Sequence, residues 1–176
     1  ASDVDASGIG TAGDGFRPIE RFAGHFDGRN NEISGLTMDR GNSNAGLFHN
    51  TRNSATIKNV GLTDVDIVGG TNVGALAGIN RGTVTRCHAA GRIESGGQRI
   101  GGLVGRNQGT VTESYSTVLV AGDNKTGGFV GENRDTIVDC YTTGELQTRS
   151  GADKVGGFVG RQDYDARIEN AYAAVP

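Results

Sequence analysis

Short apolar runs recur along this chain at nearly constant spacing, each closed by Gly, Asn or Asp. Five segments align: NAGLFHN, VGALAGIN, IGGLVGRN, TGGFVGEN and VGGFVGRQ. Their central apolar residues are Leu47, Leu76, Leu103, Phe129 and Phe158, at intervals of 29, 27, 26 and 29 residues. A degenerate sixth copy precedes them around Phe26, within FAGHFDGRNNEISGLTM. Beyond a polar turn each copy carries a second apolar position: Ile33, Ile57, Val84, Val111, Ile137 and Ile168. Three residues later comes a third column of Leu36, Val60, Cys87, Ser114, Cys140 and Ala171. Ile93, Val120 and Leu146 form a fourth, with Ile67 as the equivalent one copy earlier.

Short β-branched runs bounded by turn residues read as strands, and no segment sustains a helical period. One copy cannot bury its apolar face alone, whereas stacked copies make a continuous core. The pattern therefore predicts an all-β parallel β-solenoid (β-helix) of about six coils, with coils about 4.8 Å apart and like residues stacked in ladders. Residues 1–22 are expected to form an N-terminal cap or extension, and 23–176 a single domain of solenoid repeats.

Composition supports a thin core. Glycine supplies 31 of 176 residues, tryptophan is absent, and only 35% of residues are hydrophobic. The glycines of GGLVG flank one inward residue, where the chain turns sharply or tolerates positive φ. A net charge of −3 and the lack of a basic stripe or arm argue against nucleic-acid binding. The apolar runs are too short to insert in a membrane as a helix. The column Asn80, Asn107, Asn133 and Gln162 falls at a turn, where stacked amides hydrogen-bond to one another and to backbone.

Candidate chemistry is sparse. His25, His49 and His88 lie in different columns, and there is no H-E-x-x-H zinc motif. Asp135 and Asp139 are weak metal candidates whose spacing matches no calcium loop, so no metal and no cofactor is expected. Cys87 and Cys140 share a column two coils apart. That places their Cα atoms about 9.6 Å apart, beyond the roughly 7 Å a disulfide spans. Both are expected as free thiols. The next column runs Gly61, His88, Tyr115, Tyr141 and Tyr172. With the cysteines inward, strand alternation turns these rings outward, either as a stabilising ladder or as a platform for a sugar or protein. Arg106, Glu132 and Arg161 alternate in sign and read as a surface ion-pair ladder of little individual worth. Thr56, Thr83, Thr110 and Thr136 form an outward column, too broken alongside to serve as an ice-binding array.

On these residues the sequence resembles the GLUG-motif repeat family of bacterial surface and secreted proteins. The resemblance is carried by GGLVGRNQGTVTESYS (101–116), GGFVGENRDTIVDCYTTG (127–144) and the opening FRPIERFAGHFDGRNNEISGLTM (16–38). It implies placement more than chemistry. Such repeats occur in adhesins and haemagglutinin-like proteins, and beside the peptidase domain of IgA-cleaving metallopeptidases.

The expected function is a non-catalytic adhesin-type repeat domain, secreted or at a bacterial cell surface, binding a glycan or protein ligand through His88, Tyr115, Tyr141 and Tyr172. The alternatives are a polysaccharide-active β-helix lyase or hydrolase, and a structural spacer or self-associating filament unit. The open last coil is expected to stack end to end on another molecule or to continue into a longer polypeptide.

Overall fold

The computed structural model describes residues 2–10, 13–41, 43–149 and 151–175. It is a parallel β-solenoid of about six coils, without a helix among the described residues. Every pair of strands runs parallel, coil against coil. A five-stranded sheet stacks Phe48–Asn50, Ala77–Asn80, Val104–Asn107, Val130–Asn133 and Val159–Gln162. The remaining strands form one twelve-stranded sheet, folded around the rest of each coil.

The columns read from the sequence are the ladders of the rod. Ile57, Val84, Val111 and Ile137 pair in succession and are all completely buried. Met38, Ile67, Ile93, Val120 and Leu146 form a second ladder. The backbone N–H groups of Leu47, Leu76, Leu103 and Phe129 each donate to the next coil. Every fully buried Val, Leu or Ile contributes about 1.5–3 kcal/mol, so many small columns build the core that few aromatics could.

The first coil departs from the expected register. Phe26, not Ile33, lies opposite Ile57, and Asn31, not Leu36, lies opposite Val60. Ile33 pairs instead with Leu62, and the Leu36 carbonyl accepts from Asp66. The cause is an enlarged corner. Three residues separate Asp27 from Asn31, where later coils spend one. Arg29 and Asn30 both adopt left-handed φ, 54° and 61°. Gly28 is required beside them, because a Cβ there would meet the Asn59 carbonyl oxygen at 2.4 Å. Within the segment 1–22, Val4–Asp5 pairs with Ile33 and Ser34, while Ile19 and Phe22 already bridge to Phe48 and Thr51 of the second coil.

The later corners turn on single residues. Strand Thr83–Gly101 spans 19 residues because it bends within its own ladder. Its bends fall at Arg86, Gly91 and Arg99, with φ of 50°, 134° and 63°. The Arg86 corner repeats as Asn59, Glu113, Asp139 and Asn170, all left-handed. A non-glycine residue in that region is uncommon, and here the stacked coils hold five in one column.

A second polar column closes the turn after the five-stranded sheet. Thr51, Asn80, Asn107, Asn133 and Gln162 are joined side chain to side chain by hydrogen bonds of 2.9–3.1 Å. Asn80, Asn107 and Asn133 also donate to the carbonyls of Gly82, Gly109 and Asp135. Their side-chain oxygens accept the N–H of the same three residues. Each buried amide is thus satisfied on both ends, which makes the column a structural spine.

Candidate functional site

The residues that bear chemistry gather in two ladders, an outward aromatic one and a charged one around a buried acid. The first follows from strand alternation beside the cysteine column. Cys87 and Cys140 point inward, are free and buried, and sit in line with buried Ser114. The Ser114 hydroxyl accepts the Cys87 N–H at 3.1 Å and donates to the Thr112 carbonyl at 2.7 Å. Burial pushes the thiols up, Cys87 to about 11 and Cys140 to about 12, so both stay protonated at neutral pH.

The next residue in each coil faces outward, and this brings His88, Tyr115, Tyr141 and Tyr172 into direct register. Their rings stack with centroids 4.8, 4.9 and 5.4 Å apart and planes within 2–7° of parallel. The spacing is set by the coils, and at that spacing flat rings pack in offset stacks. Gly61 extends the ribbon by what it lacks. A Cβ there would stand 2.4 Å from His88 Nε2, so the glycine lets the imidazole lie across the neighbouring coil. His88 Nε2 then comes to 3.6 Å from Glu32 Oε1, giving the ribbon an acidic end. At the other end Tyr172 is 58% exposed, while the middle rings are half-buried along one edge. Burial first, and then the neighbouring Tyr115 and Tyr172 phenols, raise the Tyr141 phenol above its ordinary range.

The other candidates remain apart from it. His25 is exposed in the column headed toward Thr56, and His49 contacts Asn50 across 3.2 Å. Asp135 Oδ1 accepts from the Thr136 hydroxyl, and Asp139 Oδ1 accepts from Asn170. Among the described residues no group of three or more His, Cys, Asp or Glu is placed to hold a metal ion. In the threonine column's neighbour, Thr112 donates to Thr85 at 2.9 Å.

The second ladder corrects the reading of Arg106, Glu132 and Arg161 as a surface ion-pair column. The three pair in register on the five-stranded sheet, but Glu132 is completely buried. Five cations surround it. Arg161 Nη1 lies 2.8 Å from the carboxylate, Arg106 Nε 3.0 Å, Arg99 Nε 3.1 Å, Arg134 Nε 3.2 Å and Lys125 Nζ 3.7 Å. Burial alone would raise the carboxyl pKa. The hydrogen bond and charge of Arg134, with the charges of Arg99 and Arg106, outweigh burial and hold it below the usual carboxylate range.

The repeat's third glycine builds this hub. A Cβ on Gly131 would meet the Arg99 carbonyl carbon at 2.4 Å, and one on Gly160 would meet that of Lys125 at the same distance. Only glycine lets the left-handed corner of the preceding coil approach so closely, and that approach delivers Arg99 and Lys125 to Glu132. Sequence reasoning missed Arg99, Lys125 and Arg134. For Arg99 and Lys125 the signal was a cation at the corner before a GG pair, visible only when the corner is known to fold back, and Arg134 follows Glu132 by two residues.

Comparison with known proteins agrees with this architecture. Residues 96–120 match the family model described as the GLUG motif. Over 96 residues, 52% of this chain, the sequence is 38% identical to halomucin from Haloquadratum walsbyi (strain DSM 16790 / HBSQ001). The chain spans about 1% of that relative's length. In fold it is similar to a crystal structure from Bacteroides ovatus described as a candidate immunoglobulin A1 protease, with a TM-score of 0.76 at 20% identity. That superposition covers 99% of this chain and 58% of the solved one. The chain is thus a parallel β-solenoid that carries the GLUG motif at residues 96–120, with repeats in the same register on both sides of it.

Proposed function

We propose that this chain is a non-catalytic binding domain of a surface or secreted protein, presenting the His88–Tyr115–Tyr141–Tyr172 ribbon to a glycan or protein ligand. The observation that carries this reading is the ribbon itself. Four parallel rings in one outward column offer a flat, half-exposed aromatic strip, the surface on which a sugar face or an apolar side chain packs. The GLUG match and the likeness to halomucin support placement outside the cell. Adhesion is the corresponding role. A depolymerising enzyme is disfavoured because Asp135 and Asp139 are each occupied by a neighbouring side chain.

The sixth coil is less covered than the fifth. Ile168 there is 37% exposed, whereas its partner Ile137 in the coil beneath is fully buried.

The test is a glycan and cell-binding array with the wild-type chain and a Tyr115→Ala/Tyr141→Ala double variant. The variant is expected to lose binding while its circular dichroism spectrum stays that of a β-solenoid. Retained binding by a folded variant would remove the ribbon from the function. Release of reducing or unsaturated ends from pectin, alginate or glycosaminoglycan would replace the binding reading with an enzymatic one.

A further inference from the structure

The hub around Glu132 carries more positive charge than it needs. Arg99, Arg106, Lys125, Arg134 and Arg161 face one buried carboxylate, and among the described residues the only other acid paired with them is Asp163, 3.1 Å from Arg134 and 2.9 Å from Arg161. Five cations therefore meet two carboxylates. Arg99, Arg106 and Lys125 have no other ion-pair partner among the described residues. The surplus is not loosely held in solvent. The side chains of Lys125, Arg106 and Arg99 are only 13%, 20% and 21% exposed. Arg106 Nε lies near Glu132 yet out of line to donate, and is buried without a hydrogen-bond acceptor.

Crowding partly desolvated cations costs free energy that a bound anion recovers. The same strain lowers the Arg106 and Lys125 pKa values, through burial first and then through the neighbouring cations. The Glu132 spoke fixes the guanidinium groups in place. Their planar forks match carboxylate or sulfate groups, which they can hold in two-point contacts.

From this we infer that the Glu132 hub is a second ligand site, on the five-stranded sheet, which binds the carboxylate or sulfate groups of an acidic glycan. The partner follows from two features. Three surplus cations contributed by consecutive coils suit a chain whose negative charges recur, more than a single small anion. The sequence has no basic stripe or arm beyond this one cluster with which to track the phosphate backbone of a nucleic acid. This site is independent of the aromatic ribbon.

Isothermal titration of the intact chain with a heparin hexasaccharide, an oligogalacturonate of the same length, a neutral cello-oligosaccharide and a single-stranded oligonucleotide of matched charge tests the inference. Arg99→Gln and Lys125→Met keep the side-chain stems and leave Glu132 with four cations. Each is expected to weaken binding of an acidic sugar about tenfold or more, the loss of one charged hydrogen bond. Arg92→Gln, which removes a pair with Glu94 elsewhere on the rod, is expected to change nothing. The Tyr115→Ala/Tyr141→Ala variant is expected to retain acidic-sugar binding, which separates this site from the ribbon.

Thermal unfolding in sulfate against chloride at equal ionic strength gives a second readout. Sulfate should raise Tm more in the wild type than in Arg99→Gln, a difference that cancels its general salting effect. The inference is overturned if acidic sugars bind both hub variants as well as wild type, if the neutral sugar or the oligonucleotide binds better, or if sulfate raises Tm while no acidic sugar binds.

Discussion

Along the His88–Tyr172 column the coils set like against like, whereas along Arg106, Glu132 and Arg161 they set opposite charges against each other. Both arrangements answer the same geometric demand. A parallel stack in register brings each residue opposite its own counterpart in the next coil. Flat neutral rings gain from that repetition, since a ring every 4.8–5.4 Å is an offset stack. Like charges are penalised by it, so the charged column alternates, and its one acid is drawn inside. The ribbon is consequently a sum of neighbour contacts. The hub is a single object to which three coils and two corners contribute, and it should fail as a unit.

That contrast predicts the largest effect at Glu132. Removing the acid leaves Arg99, Arg106 and Lys125 partly buried without a counter-charge, and Arg134 and Arg161 with Asp163 alone. Glu132→Gln is expected to destabilise the fold by about 3–5 kcal/mol, the usual penalty for breaking a buried ion pair. Urea denaturation measures it. A loss under 1 kcal/mol would mean that water screens the hub, and that it resembles ordinary surface pairs.

Acid titration sharpens the same point. Glu132 has its folded-state pKa depressed from an ordinary 4.5. Its contribution is therefore complete above the unfolded pKa and drains away as pH falls through the folded one. Wild type should lose stability below about pH 4.5 faster than Glu132→Gln does. Parallel acid profiles for the two proteins would contradict the assigned shift.

A middling effect is expected in the ribbon. Tyr141→Ala removes two stacking contacts of about 0.5–1.5 kcal/mol each, and Tyr172→Ala at the exposed end removes one. Unfolding midpoints should rank in that order and combine additively for non-adjacent rings. Strong coupling between His88 and Tyr172 substitutions would show that the ribbon, too, acts as a unit.

The smallest effect is expected at the thiols. Raised to about 11 and 12, Cys87 and Cys140 should react with a thiol reagent only after unfolding, and Cys87→Ser should leave ligand binding unchanged. Rapid modification of the native chain would place the column on the surface instead.

The repeat, the coil number and the inward or outward sense of nearly every residue from Ala45 onward are legible in the chain itself. The reason is that parallel in-register stacking turns sequence spacing directly into contact, so Tyr115 must lie beside Tyr141 once the 26-residue interval is seen. The asparagine spine was readable for the same reason. The first coil was not, because the extra residues at Gly28–Asn30 shift its register and Phe26 takes the place that spacing assigned to Ile33. The hub was decided by tertiary structure alone. Arg99 and Glu132 are 33 residues apart and belong to different columns. They meet because a left-handed corner folds against a glycine of the next coil, an approach set by backbone geometry in three dimensions. Spacing along the chain predicts which residues stack. How far each corner leans over the adjoining sheet depends on φ and on the absence of a Cβ, and that lean turned a surface ion pair into a buried charge.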